Sequence, residues 1–472
     1  MTGGQSIAEP TPPAPSGPGA PDHSRPDSRQ HHQPRQDRRR HDREILALAV
    51  PAFGALVAEP LFLLGDSAIV GHLGTAQLAG LGVAGTALST LAGIFVFLAY
   101  ATTAAVARRI GAGDRRAAVQ QGIDGVWLAL LLAVPVALLA ALLAPQVADL
   151  LGASATAAPY AVTYLRISAL GVPAMLMVLA ATGVLRGLQD TRTPLLVAVA
   201  GFSANLGLNL TLVYGAGLGV AGSAWGTVLA QNGMAAVYLA VVVRGARRER
   251  AALRPDPVGI RACARAGGPL MIRTLSLRAV LVLATAVAAR LGDREVATHQ
   301  IAMALWGFLA FALDAIAIAG QSIIGRYLGA GDRAGARAAT RRMVEWGLGS
   351  GLLLGLLVVL ARPLYIPLFT TDPAVREQLS AVLLLVALTQ PASGPVFVLD
   401  GVLMGAGDGG YLAWAMLGTL AVFAPLALAV PSLGWGLAGI WWALNLFILL
   451  RCAFLVGRLR TGRWLVTGAV RG

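Results

Sequence analysis

The chain has 472 residues, 56% of them hydrophobic and 13% charged, with a mean hydropathy of +0.69. A soluble chain is about a quarter charged, so the composition excludes a soluble globular enzyme and points to an all-α polytopic membrane protein. The formal charge of +14 comes from 37 arginines and no lysine; their placement in alternate loops reads as membrane topology and excludes a nucleic-acid surface.

Residues 1–44 are rich in Pro, Arg, His, Asp and Gln, with almost nothing to bury, and are expected to be a disordered cytoplasmic tail. They are not a signal peptide, because the apolar run that follows is too long and lacks a small-residue cleavage site. The histidines at 23, 31, 32 and 41 read as solvated tail residues and not as a metal site. Apolar runs of membrane-spanning length then recur. Six are expected in 45–243, at 45–70, 79–106, 122–144, 160–185, 194–214 and 218–243. An Arg-rich cytoplasmic linker, 244–265, joins them to six more in 266–457, at 266–289, 296–325, 343–361, 377–404, 411–430 and 436–457. A cytoplasmic tail, 458–472, ends the chain. Of the arginines, 29 fall in the tails and alternate loops and 4 in the opposite loops, so both termini are expected in the cytoplasm. Cys263, in the expected linker, and Cys452, in the last span, predict neither a disulfide nor a metal cluster.

Polar residues inside the spans carry the functional argument. Span one, EPLFLLGDSAIVGHLG, holds Glu59 and Asp66, seven apart and so on nearly one helix face. An acid at membrane depth is costly and faces a cavity, a partner or an ion path. Asn205 and Asn209 lie one turn apart on span five, and Thr227 near the middle of span six. All could converge on one cavity, although the asparagines and Thr227 could equally tie neighbouring helices together. Glu59 could instead lie at the outer interface or pair with an arginine. The second half holds Arg273 and Arg278 on span seven, Asp314 on span eight and Asp400 on span ten, with Gln321 and Gln390. A buried Arg–Asp pairing of span seven with span eight or ten is the expectation, since a lone charge there would be too costly. His299 reads as a helix-end polar residue. No cluster of catalytic side chains is recognisable, so no enzyme, cofactor or metal is expected. GAGD at 111–114 and 329–332 is not a phosphate loop, having neither lysine nor strand; its glycines permit a tight turn and its Asp caps the next helix.

Internal similarity organises the whole chain. GAGD recurs at an offset of 218, as do GVLRGLQD (183–190) with GVLMGAGD (401–408) and Pro51 with Pro269. GLGVAGSAW (217–225) matches GWGLAGIWW (434–442) with one residue lost. Six spans per copy give parallel six-helix lobes, a transporter architecture with its site between the halves. The offset sets Asp66 against Ala284 and Glu59 against Leu277, so helix packing does not require either acid.

These pieces resemble the multidrug and toxic compound extrusion (MATE) family over roughly residues 44–465. The resemblance rests on GDSAIVGHLG, RRIGAGD with RYLGAGD, GVLRGLQDTRTP, NLGLNLTLVYG, GVAGSAWGT and EVATHQIA. MIRTLSLR, FALDAIA, VLDGVLMGAGD and RTGRWL are most similar to its DinF-like branch. The resemblance implies a V-shaped pair of lobes exporting small organic compounds, often cationic or amphipathic, in exchange for H⁺ or Na⁺. It assigns coupling-ion binding to Asp66, with Asn205 and Thr227 at the family's matching positions. DinF-like members often carry an Asp where this chain has Asn209. The NorM-like branch has a span-seven Glu that aligns near Leu277. The first departure leaves Asp66 as the main protonatable group in place of a two-carboxylate mechanism, and the second argues against a second-lobe sodium site, so H⁺ is favoured over Na⁺. A monomer in a bacterial cytoplasmic membrane is expected, with small-molecule substrates and no nucleic-acid partner. The alternative is a flippase for lipids or lipid-linked glycans, which would display a cationic central cavity.

Overall fold

The computed structural model describes Gly3 and residues 33–470, without the side chains of residues 33–37 and Glu59. The chain divides into two units, Met1–Arg40 and His41–Gly472. All the regular structure described is helical. The first half comprises α1 (Gln33–Gly71), α2 (Thr75–Phe95), α3 (Phe97–Gly111), α4 (Arg115–Leu142), α5 (Ala144–Leu150), α6 (Ala158–Ala169), α7 (Val172–Gly187), α8 (Arg192–Leu210) and α9 (Gly219–Glu249). The second comprises α10 (Pro257–Leu291), α11 (Asp293–Gly329), α12 (Arg333–Phe369), α13 (Pro373–Gly405), α14 (Gly409–Ala429) and α15 (Gly436–Thr461). Among the described residues eleven helical runs are long and apolar enough to cross a bilayer, with α2 and α3 counted as one. The pair α6 and α7, bent by 55°, completes twelve. Helices are what an apolar chain forms in lipid, because each satisfies its own backbone polar groups.

The repeat is visible in the packing. Small residues let membrane helices approach closely, and glycines do so here at matched positions. A Cβ on Gly183 of α7 would meet the Ala99 carbonyl of α3, and one on Gly401 of α13 would meet that of Ala317 in α11. Gly187 faces Thr103, and Gly405 faces Gln321. Each pair reproduces its counterpart at the 218 offset. The halves also meet each other by the same rule: Gly111, ending α3, abuts the Arg326 backbone of α11, and Gly329, ending α11, abuts the Arg108 backbone of α3. The two GAGD turns therefore lie at one closed end of the seam between the lobes. As expected, their aspartates cap the following helices, Asp114 accepting from Ala117 N at 2.8 Å and Asp332 from Gly335 N at 2.7 Å.

Boundaries differ from expectation in four places. Where the tail was expected to run to residue 44, the chain is already helical from Gln33; residues 1, 2 and 4–32, with their three histidines, lie outside the described residues. Asp42 accepts from Arg342 Nε and Nη2 at 2.6 and 2.8 Å and from Trp346 Nε1 at 2.7 Å, and Glu44 pairs with Arg326. Those ion pairs, invisible to local hydropathy, hold α1 at Asp42 and Glu44 against α11 and α12. The expected linker is helical except for 250–256, and Cys263 is buried within α10. The C-terminal segment folds back onto the seam: Trp464 and Leu465 are buried, Arg108 Nη2 donates to Val466 O at 2.7 Å, and Gly468 N to Leu328 O at 3.0 Å. Finally, Arg186, expected in a loop, lies in α7 and is only 9% exposed.

Candidate functional site

Asp66 sits five residues before the end of α1 and is 3% exposed. Asn209 lies at the end of α8, just before a π-helical turn, Thr211–Gly215, that re-aims the backbone. Its Nδ2 donates to Asp66 Oδ1 in a short contact. The Asn205 amide is better satisfied with its oxygen and nitrogen exchanged. Its nitrogen then donates to Asp66 Oδ1 at 3.3 Å, and its oxygen accepts from Thr227 N at 3.2 Å, with Thr227 Oγ1 at the same distance. Thr227 Oγ1 lies 3.3 Å from the Tyr164 hydroxyl and donates to Ser223 O at 3.1 Å. Gly226 makes the approach possible, since a Cβ there would strike Asn209 Oδ1.

Four helices (α1, α6, α8 and α9) thus build a buried polar cluster inside the first lobe. It unites Asp66, Asn205, Asn209 and Thr227, as the sequence suggested. Among the described residues no cation pairs with Asp66, and its hydrogen-bond partners are the neutral amides of Asn205 and Asn209 and the Tyr164 hydroxyl. Such a carboxylate is stabilised only by dipoles, so gaining a proton or a cation is the chemistry open to it. Tyr164 was missed because an aromatic in an apolar span carries no distinguishing signal. The backbone of Glu59 lies in α1, and its side chain is outside the described residues.

The second lobe is built differently. Arg273 Nη2 of α10 pairs with Asp400 Oδ2 of α13 at 2.6 Å, and Arg451 of α15 contacts the same oxygen. This is the expected span-seven to span-ten pairing, with a second arginine added; the signal for Arg451 was its position inside a span. Asp314 on α11 forms no hydrogen bond or ion pair among the described residues, and acts electrostatically on Arg186 and Arg273. His299 is fully buried against Trp441, 5.7 Å between ring centroids, with Thr285 Oγ1 at 3.3 Å from its Nε2. It is therefore a core residue and not the expected helix-end one. Arg278 is exposed and lies against Gly93. Among the described residues no three His, Cys, Asp or Glu side chains are grouped as metal ligands.

Comparison with known proteins gives a consistent picture. A family model described as MatE matches residues 51–211 and 269–429, two segments separated by the same 218 residues. Protein DETOXIFICATION 44, chloroplastic, from Arabidopsis thaliana is 33% identical over 89% of this chain and 83% of its own. DNA damage-inducible protein F of Escherichia coli (strain K12) is 30% identical over 90% of this chain and 94% of its own. A crystal structure of MATE in the bent conformation superposes with a TM-score of 0.82 at 21% identity, covering 91% of this chain and 97% of that one.

Proposed function

The chain belongs to the MatE family, whose members are transporters and not enzymes, and from that premise we propose that it is a secondary active efflux antiporter. In this reading it exports small organic compounds, amphipathic and often cationic, in exchange for H⁺ in preference to Na⁺. It acts as a monomer in a bacterial cytoplasmic membrane, with both termini in the cytoplasm.

The observation that carries the reading is the surroundings of Asp66: a carboxylate 3% exposed, met only by neutral groups, the amides of Asn205 and Asn209 and the Tyr164 hydroxyl, in a lobe whose sister has Ala284 at the same position. Asn209 serves both charge states of that acid. Its Nδ2 donates to the carboxylate, and its Oδ1 is buried without a partner. A half-turn of the amide offers that oxygen to a protonated Asp66. The acid on α1 takes the proton, Asn205 and Asn209 hold it in place, and Thr227 and Tyr164 complete the cluster behind them. Proton preference over Na⁺ is supported by the neutral Asn209 beside the acid and by Leu277, apolar where a second-lobe acid would be needed.

The test is transport in proteoliposomes carrying an interior pH dye, with organic dyes added across a pH or Na⁺ gradient. Dye-triggered proton movement is expected in wild type and lost in Asp66→Asn with folding intact. Proton movement unaffected by the substitution would remove Asp66 from the coupling role.

A further inference from the structure

Charge at the lobe seam does not balance. Among the described residues, the carboxylates that act directly on Arg186, Arg273 and Arg451 are Asp314 and Asp400. Asp400 is engaged by Arg273 and Arg451 together. Asp314 is not within ion-pair distance of any arginine among the described residues. Arg186 is 9% exposed, yet its guanidinium donates no hydrogen bond among the described residues, and Arg273 Nε is buried without a partner. One uncompensated guanidinium in a membrane-embedded interior is costly to keep.

The scaffold does not demand these charges. At the 218 offset, Arg186 is matched by Met404, Arg273 by Ala55, Asp314 by Val96 and Asp400 by Thr182. With the one-residue deletion before the last span, Arg451 is matched by Met234. Arg186 comes from the first lobe and the other four residues from the second, so the excess charge lies where the lobes meet. Neutral contacts fix the seam around it: Ser322 Oγ donates to Arg186 O at 2.6 Å, and Gln321 Nε2 to Tyr100 O at 2.5 Å.

We propose that this seam is an anion site, in which Arg186, backed by the Arg273–Asp400–Arg451 triad, takes the carboxylate, sulfonate or phosphate group of an amphipathic compound. A planar guanidinium offers two parallel donors to such oxyanions. Asp314 is the internal competitor that steadies Arg186 when the site is empty. The inference rests on the transport reading and adds a charge class to its cargo: amphipathic compounds that carry an acidic group.

The test compares two xanthene dyes of similar ring size and opposite charge, carboxyfluorescein and rhodamine 6G, binding to the reconstituted full chain by fluorescence anisotropy. Wild type is expected to bind carboxyfluorescein, and Arg186→Met to lower the carboxyfluorescein-over-rhodamine preference about tenfold or more, the worth of one charge-assisted hydrogen bond. Arg186→Lys should restore most of the preference, and Asp314→Asn, which leaves every arginine in place, should raise it. An anionic phospholipid with a fluorescent tail separates the two sources of phosphate. Arg186-dependent movement of that lipid between leaflets makes the occupant a lipid headgroup, whereas a response of the soluble dye alone makes it a free organic anion. Either result supports the site. Absence of carboxyfluorescein binding to wild type, or an unchanged preference in both Arg186→Met and Asp314→Asn, overturns it. Asp66→Asn separates the two readings: loss of proton movement with anion binding retained leaves both standing, and retained proton movement with Arg186-dependent binding defeats only the coupling assignment.

Discussion

Replacing Gly329 by Ala should open the lobes at the GAGD end. The added Cβ would press on the Arg108 carbonyl oxygen, with the carbonyl carbon at 2.7 Å. Both atoms are backbone, so no rotamer change relieves the overlap. Alanine is favoured over glycine within a helix by up to about 1 kcal/mol, but that gain is present whether the lobes touch or part, and cancels from the equilibrium between the two arrangements. What remains is the cost of forcing a methyl into a close-packed contact, about 1–3 kcal/mol, borne by the closed arrangement alone. It corresponds to a population shift of about 5- to 150-fold toward separation. Spin labels at Ala112→Cys and Ala330→Cys, exposed and equivalent positions in the two GAGD turns, report the separation by pulsed dipolar spectroscopy once Cys263 and Cys452 are replaced. Gly349→Ala is the control, because a Cβ there meets open space and should shift nothing. An unchanged distance distribution in folded Gly329→Ala would refute the claim that this glycine pair sets how closely the lobes approach.

Two further substitutions probe the buried polar groups. Gly226→Ala sets a Cβ against Asn209 Oδ1, so the amide must leave Asp66 with every polar side chain of the cluster still present. Dye-driven proton flux in proteoliposomes should fall tenfold or more, and flux at the wild-type level would show that the amide is dispensable. Asp400→Asn leaves two buried guanidinium groups facing a neutral amide, a loss of about 3–5 kcal/mol. Glu345→Gln at the half-exposed Arg342 pair should cost less than about 1 kcal/mol. Thermal unfolding in detergent ranks the two, and equal shifts would contradict the reading of Asp400 as a buried counter-ion.

The span count, the parallel halves and most of the first-lobe cluster were legible in the sequence. Hydropathy marks any segment that must satisfy its backbone in lipid, and a polar residue stands out against an apolar run. Asp66, Asn205, Asn209 and Thr227 were visible in that way. Arg186 was not, because hydropathy ended span four at residue 185 while the helix runs on to Gly187. The break at Leu170 and Gly171 was equally silent, since both residues are ordinary in a membrane span. Asp42 and Glu44 looked like part of a solvated tail because their partners, Arg342 and Arg326, lie some 280 to 300 residues away. Local pattern carries no information about such distant pairing. Tyr164 and His299 show the same limit from the other side, because a residue's neighbours, and not its type, decide whether it serves a site or a core.

The paired glycines at the seam make an isologous contact within a single chain: 111 meets 326, and 329 meets 108. Two separate, identical subunits related by such an axis would be obliged to carry every residue twice, so an acid or an arginine set on one side would appear on the other. Covalent joining through the segment between α9 and α10 lifts that obligation. The first lobe keeps Asp66 where the second has Ala284, and the second keeps Asp400 and its two arginines where the first has none. A fused pair can keep a symmetric seam and yet give its two halves different chemistry.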